Sequence, residues 1–107
     1  MPFEDELQKV WRGLIEKLPT AIEHSIFDPN TSAINRLKYV EMAIRLFYRP
    51  IGRPETEIDS KNARDAATML RRVVPELEKI RSEHRSERLR RKADQYLSFI
   101  AARVGAD

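Results

Sequence analysis

The chain has 107 residues and a net charge of +3 at pH 7, and this length suits one domain that buries about two thirds of its unfolded surface. It contains no cysteine, which excludes disulfides and thiolate metal sites, and it contains only two histidines. Residues 1–10 are acidic and amphipathic, and no apolar run approaches the roughly 20 residues that span a bilayer, so we expect a single domain over residues 1–107, cytoplasmic and without a membrane partner.

The strongest periodic signal lies near the amino terminus, where apolar residues recur with helical spacing. These positions, with Trp11 as an expected core residue, are Phe3, Leu7, Val10, Trp11, Leu14, Ile15, Leu18 and Ile22. Pro19 interrupts the pattern, and because proline removes an intrahelical hydrogen bond, we predict a kink there. Residues 28–32 (DPNTS) favour a turn, with Thr31 or Ser32 as the cap of the next helix.

A second helix, a loop and a long third segment follow. The second helix carries apolar side chains on more than one side, which predicts a central position; its main stripe is Ala33, Leu37, Val40, Ile44 and Phe47. Residues 48–59 hold two prolines and one glycine and predict a loop, after which Asp59 or Ser60 can cap the third helix. The third stripe continues across Pro75, where we predict a second kink. Its members are Ala63, Ala66, Ala67, Leu70, Val73, Val74, Leu77 and Ile80.

Strand-like alternation is absent from the sequence. No stretch alternates between apolar and polar residues over the length of a strand, and the β-branched residues are scattered through helical patterns. We therefore predict an all-α fold, an antiparallel helical bundle of three to four main helices with proline kinks near Pro19 and Pro75.

The apolar pattern changes sides within residues 79–92 (KIRSEHRSERLRRK). On one helix with about 100° per residue, the apolar residues before this stretch and those after it would face different directions. We expect the chain to reverse between Ser82 and Arg88, with Ser86 capping a final helix. The alternative is one continuous helix, since residues 80–92 contain no Gly, Pro or Asn.

Positive charge is concentrated in the second half of the chain. Residues 1–59 carry eight Lys or Arg against ten Asp or Glu, whereas residues 60–107 carry twelve against seven. On a continuous helix the repeat in RSEHRSER would align Arg81, Arg85, Arg88 and Lys92 in one basic stripe. The candidate phosphate-binding residues are Arg81, Arg85, Arg88, Arg90, Arg91 and Lys92. The alternative is an exposed charged face that pairs with the acidic first half, because no aromatic residue lies between 79 and 92 to stack on a base.

The sequence contains no recognisable active-site motif. Gly13, Gly52 and Gly105 are isolated, so they form no glycine-rich phosphate loop, and the serines occur in capping or charged contexts. His24 and His84 are far apart in the sequence, so their spacing does not indicate a metal site. We expect no enzymatic activity, no cofactor and no metal.

These patterns favour a non-enzymatic helical interaction protein that forms a homo-oligomer or a subunit of a larger assembly. Its candidate protein interface is the apolar stripe Leu89, Tyr96, Leu97, Ile100 and Val104. The alternative is a nucleic-acid-binding accessory protein that uses residues 79–92 for sequence-independent contacts to the phosphates of DNA or RNA. We expect Trp11→Ala and Leu37→Ala each to cost about 2–5 kcal/mol through cavity formation.

Overall fold

The structure is a computed structural model that describes residues 17–48 and 57–105. The described residues form four helices that pack against one another: α1 covers 17–27, α2 is Ala33–Phe47, α3 is Glu57–Glu83 and α4 is Glu87–Phe99. A π-helical turn, Ile100–Val104, continues α4. No strand occurs in these two ranges, so the predicted all-α class is confirmed.

One hydrophobic core is shared by the four helices. In α2 the buried side chains are Leu37, Val40 and Ala43, and the first two belong to the predicted stripe. The other buried members of the core are Ile22, Ile26, Met69, Leu70, Val73, Leu77, Ile80, Ala93 and Ile100. Burial of each large aliphatic side chain stabilises the fold by about 1.5–3 kcal/mol, so this core is the main reason that the helices pack together.

The connection between α1 and α2 is held by side-chain hydrogen bonds. The Ser32 hydroxyl accepts the Asn35 backbone N–H at 3.3 Å, which confirms Ser32 as the cap of α2. Arg36 donates to the carbonyl oxygens of Ile26 at 2.8 Å and Asp28 at 3.1 Å. Since a helix ends in unpaired carbonyls and a partial negative charge, this guanidinium stabilises the carboxyl end of α1 and positions α2 beside it.

The third helix begins earlier than its predicted caps. Asp59 and Ser60 lie inside α3, which is helical from Glu57, so the prediction that either residue caps it was wrong. The helix also continues through Pro75 without ending. The kinks near Pro19 and Pro75 stay predictions.

The chain reverses between α3 and α4, as predicted. Glu83 ends α3 and Glu87 begins α4. The Ser86 backbone N–H donates to Nδ1 of His84 at 3.0 Å, and the Ser86 hydroxyl accepts the Leu89 N–H at 3.3 Å as the predicted cap. No non-glycine residue in the described ranges has a positive φ. The turn therefore forms without the Gly or Asn that a left-handed conformation would favour.

Two contacts join α3 to the segment that runs from α4 through the π-helical turn to Gly105. Near the reversal, Nη1 of Arg81 lies 3.6 Å from Oδ1 of Asp94. Far from it, Nε of Arg71 donates to the Gly105 carbonyl at 3.1 Å. Gly105 has a φ of 75°, and its N–H donates to the Ile100 carbonyl at 2.8 Å. A glycine suits this left-handed position, where the helix ends.

Some predictions lie outside the described residues. They include the apolar positions from Phe3 to Ile15, with Trp11 among them, and most of the predicted loop 48–59. In the described ranges, every helix is too short or too polar to cross a membrane.

Candidate functional site

The helix break divides the six candidate phosphate-binding residues. Arg81 belongs to the end of α3, Arg85 lies in the turn, and the remaining four are on α4. The predicted single stripe of Arg81, Arg85, Arg88 and Lys92 is therefore wrong, because it required one continuous helix through residues 84–86.

The four cations on α4 point to two different sides. Arg88, Arg91 and Lys92 border one shallow hollow, together with Glu87 and Gln95. Arg90 is about 200° from Arg88 around the helix, on the side of Asp94, whose carboxylate contacts Arg81 on α3. Consequently Arg90 and Arg81 are not part of the cluster formed by the other three.

Packing adds a cation from α2 to this cluster. Lys38 borders a second hollow, the α2–α4 hollow, together with Arg88 and Lys92. We define the basic surface as Lys38, Arg88, Arg91 and Lys92. Lys38 is distant in sequence from the basic stretch, so only the folded structure could reveal it as a member.

The α2–α4 hollow also has an apolar wall. It is lined by Ile34, which is 48% exposed, and by Leu89 and Tyr96, and its volume is about 140 Å³. Tyr96 is partly buried, and burial raises the pKa of its phenol, with the nearby Glu41 carboxylate as the second cause. An aromatic side chain thus lies beside the cations, although none occurs between 79 and 92.

Most cations of the basic surface form no ion pair within the described residues. Arg91 is paired, since its Nη2 lies 2.7 Å from Oε1 of Glu87 one turn earlier. Within the described ranges, Lys38, Arg88 and Lys92 make no ion pair. Three cations on one surface are therefore free to meet an external anion.

The acidic first half does not neutralise this surface within the described residues. The ion pair that joins the two halves there links Arg72 to Glu23, and neither residue belongs to the basic stretch. Glu41 borders the α2–α4 hollow, but its carboxylate forms an ion pair with Arg45, whose Nη2 lies 3.3 Å from Oε1 of Glu41. The described residues contain no ion pair between the basic stretch and the first half, so they do not support the alternative of a basic stretch paired with the first half.

The position of Arg88 at the amino end of α4 has an electrostatic cost. With Ser86 as the cap, Arg88 is the second helical residue. Backbone N–H groups give this end of a helix a partial positive charge, which stabilises anions and repels cations. An anion bound there would be attracted by the side chains and by the helix end together.

The predicted protein interface lies mostly against the chain's own core. Ile100 is only 4% exposed and belongs to the core. The other four members are partly buried and pack against the core: Leu89, Tyr96, Leu97 and Val104. Their role in binding another protein stays a prediction, but the apolar surplus that motivated it is largely used within the fold.

A larger groove, of about 570 Å³, lies between α3 and the end of α4. Its apolar lining includes Val74, Leu97 and Ala101, with Arg71 and Arg81 among its polar residues. Both guanidiniums are engaged, Arg71 with the carbonyl of Gly105 and Arg81 with a carboxylate. This groove therefore offers less free positive charge than the basic surface.

No protein family model, curated protein or solved structure matches this chain. In the described ranges, no three His, Cys, Asp or Glu side chains are grouped closely enough to hold a metal ion.

Proposed function

We propose that this protein is a non-enzymatic nucleic-acid-binding protein whose basic surface, with Arg85 beside it, contacts phosphates without reading base sequence. The observation that carries the proposal is a set of cations that form no ion pair within the described residues: the exposed Lys38, Arg85 and Arg88 and the partly buried Lys92. Neutralising phosphates releases condensed counterions, which is the main source of sequence-independent affinity. We also propose that residues 1–107 form a single domain.

Charge reversal at two free arginines tests this function. The variant Arg85→Glu/Arg88→Glu replaces exposed side chains that make no ion pair in the described residues. The matched control, Arg64→Glu/Arg103→Glu, makes the same change of net charge at exposed positions elsewhere. Fluorescence anisotropy with labelled oligonucleotides at low salt measures the affinity of each protein.

We expect the first variant to bind more than ten-fold more weakly than the wild type, and the control to retain most of its affinity. The slope of log affinity against log salt should also fall by about 1.4 for single strands, since each lost phosphate contact removes about 0.7. Equal losses in both variants would mean that net charge alone matters, and would contradict a defined binding surface.

A homo-oligomer, or a subunit of a larger assembly, is the second candidate, and an aromatic cluster favours it. Tyr48 is 49% exposed and contacts Phe99, with ring centroids 5.4 Å apart, and Phe47 at 6.3 Å. Exposed aromatic side chains are enriched in protein interfaces. Sedimentation equilibrium of the wild type and of Tyr48→Ser tests self-association; a strict monomer at all concentrations would contradict the homo-oligomer.

We also propose that the bundle is antiparallel. Two contacts support this arrangement. Arg81 and Asp94, which meet, are both close to the reversal, whereas Arg71 and Gly105, which also meet, are both far from it. Spin labels at Arg64 and Arg103 provide the test, since an antiparallel pair brings both labels to the end remote from the reversal. A longer distance than that between labels at Arg64 and Arg85 would contradict it.

A further inference from the structure

We infer that the α2–α4 hollow receives a base of single-stranded nucleic acid, with Tyr96 as its aromatic contact and with Lys38, Arg88 and Lys92 holding the adjoining phosphates. This inference rests on the proposed function and adds to it the class of nucleic acid and a residue that contacts the base. Neither Tyr96 nor Lys38 belongs to the candidate phosphate-binding set.

The first support is that apolar and basic side chains share one hollow. Ile34, Leu89 and Tyr96 line it together with the three cations. Binding to phosphates alone requires only exposed charge, whereas proteins that bind single strands combine a positive groove with aromatic side chains on which bases stack. The mixture in this hollow fits the second arrangement.

The second support is size. The hollow has a volume of about 140 Å³. A protein cavity of about 150 Å³ binds benzene, so this hollow matches the size of a single six-membered ring such as that of a pyrimidine. It is too small for a helix of a partner protein to be inserted, and the body of a duplex is wider still.

The third support is the order of these residues along α4. Arg88, Lys92 and Tyr96 are spaced four residues apart, so they lie along one side of the helix with about 6 Å of rise between neighbours. Lys38 faces them from α2. A strand passing over Arg88 and Lys92 would thus bring an unpaired base to Tyr96, whereas a duplex keeps its bases stacked in its interior.

Two substitutions at Tyr96 separate the aromatic ring from its hydroxyl. Tyr96→Phe retains the ring, and Tyr96→Leu retains an apolar side chain without a ring. Labelled oligo(dT), a mixed-sequence duplex of the same length and unlabelled polyglutamate are the probes, with anisotropy as the readout and thermal denaturation as the check of folding.

The wild type and Tyr96→Phe should bind oligo(dT) more tightly than the duplex. Tyr96→Leu should bind oligo(dT) about ten-fold more weakly and leave duplex affinity unchanged, since stacking contributes only with an unpaired base. Because Tyr96 is partly buried, the exposed Lys38→Gln is a second test that leaves the core intact. It should weaken oligo(dT) binding several-fold, whereas the matched Arg64→Gln should not.

Two outcomes would overturn the inference and leave the proposed function standing. One is duplex binding as tight as oligo(dT) binding. Another is an unchanged affinity for oligo(dT) in both single variants, Tyr96→Leu and Lys38→Gln, while Tyr96→Leu remains folded. Polyglutamate that displaces oligo(dT) at equal charge concentration would overturn the proposed function together with the inference, because the surface would then prefer an acidic protein. If neither oligonucleotide binds at low salt, the proposed function fails as well.

Discussion

Replacing Arg88 with Glu should stabilise the fold and weaken nucleic-acid binding at the same time. Arg88 is the second residue of α4, where its positive charge is repelled by the helix end. Removing a cation from this position and introducing a carboxylate each contribute about 0.3–1 kcal/mol. The new carboxylate would also lie one turn before Lys92, a pairing that contributes about 0.2–0.5 kcal/mol.

The exposure of Arg88 places these contributions near their lower limits, so we expect the free energy of unfolding to rise by about 1 kcal/mol. For a chain of this size the melting temperature should then rise by about 4 °C. Arg64→Glu is the control, because Arg64 is exposed and lies beyond the first turn of α3; it should change stability by less than about 0.5 kcal/mol.

Differential scanning fluorimetry and urea denaturation measure the stability, and anisotropy measures the binding. The stabilisation should shrink at high salt, because exposed charges are screened. A variant that loses both stability and binding would refute the reasoning, since its lost affinity could then come from a damaged fold.

Three further expectations concern the core and the α2–α4 hollow. Leu37→Ala should cost about 2–5 kcal/mol in urea denaturation, and the half-exposed Ile34→Ala under about 1 kcal/mol; equal costs would contradict the assignment of the core. Because the pKa of Tyr96 is raised in the folded protein, its neutral phenol contributes its full share of the stability below pH 10.0. This stabilisation is lost as pH rises through the folded-state pKa. Tyr96→Phe should therefore reduce the alkaline loss of stability, and an unchanged loss would contradict this. Glu41→Gln should tighten oligo(dT) binding, since it removes a carboxylate from the hollow; weaker binding would show that Glu41 positions a contact.

Much of the fold could be predicted because the apolar pattern restricts it strongly. The stripe before residue 80 and the stripe after residue 89 face different sides of a single helix, and only a reversal brings both to one core. The absence of glycine from residues 80–92 had favoured a continuous helix. The chain reverses nevertheless, because His84 and Ser86 supply the hydrogen bonds of the turn without a left-handed residue. The start of α3 and the π-helical turn were missed, because periodicity reports the buried face of a helix and not the local bonds at its ends.

The candidate site was less accessible to sequence reasoning. The stretch 79–92 does carry Arg88, Arg91 and Lys92, but a window along the chain cannot include Lys38, which tertiary packing brings to the same hollow. The helical wheel also placed Arg81 with them, and the break at residues 84–86 invalidates that wheel. Spacing of four residues links Tyr96 to Lys92 on the final helix that Ser86 was predicted to cap, but the apolar pattern assigned Tyr96 to a protein interface and not to the basic residues.

The salt dependence of oligonucleotide binding by the wild-type protein tests the central claim most directly. Fluorescence anisotropy with labelled single- and double-stranded oligonucleotides would be recorded from low to physiological salt. With about four or five phosphate contacts, log affinity for the single strand should fall against log salt with a slope of about −3. Absence of binding at low salt, or binding that does not change with salt, would contradict a surface that contacts phosphates.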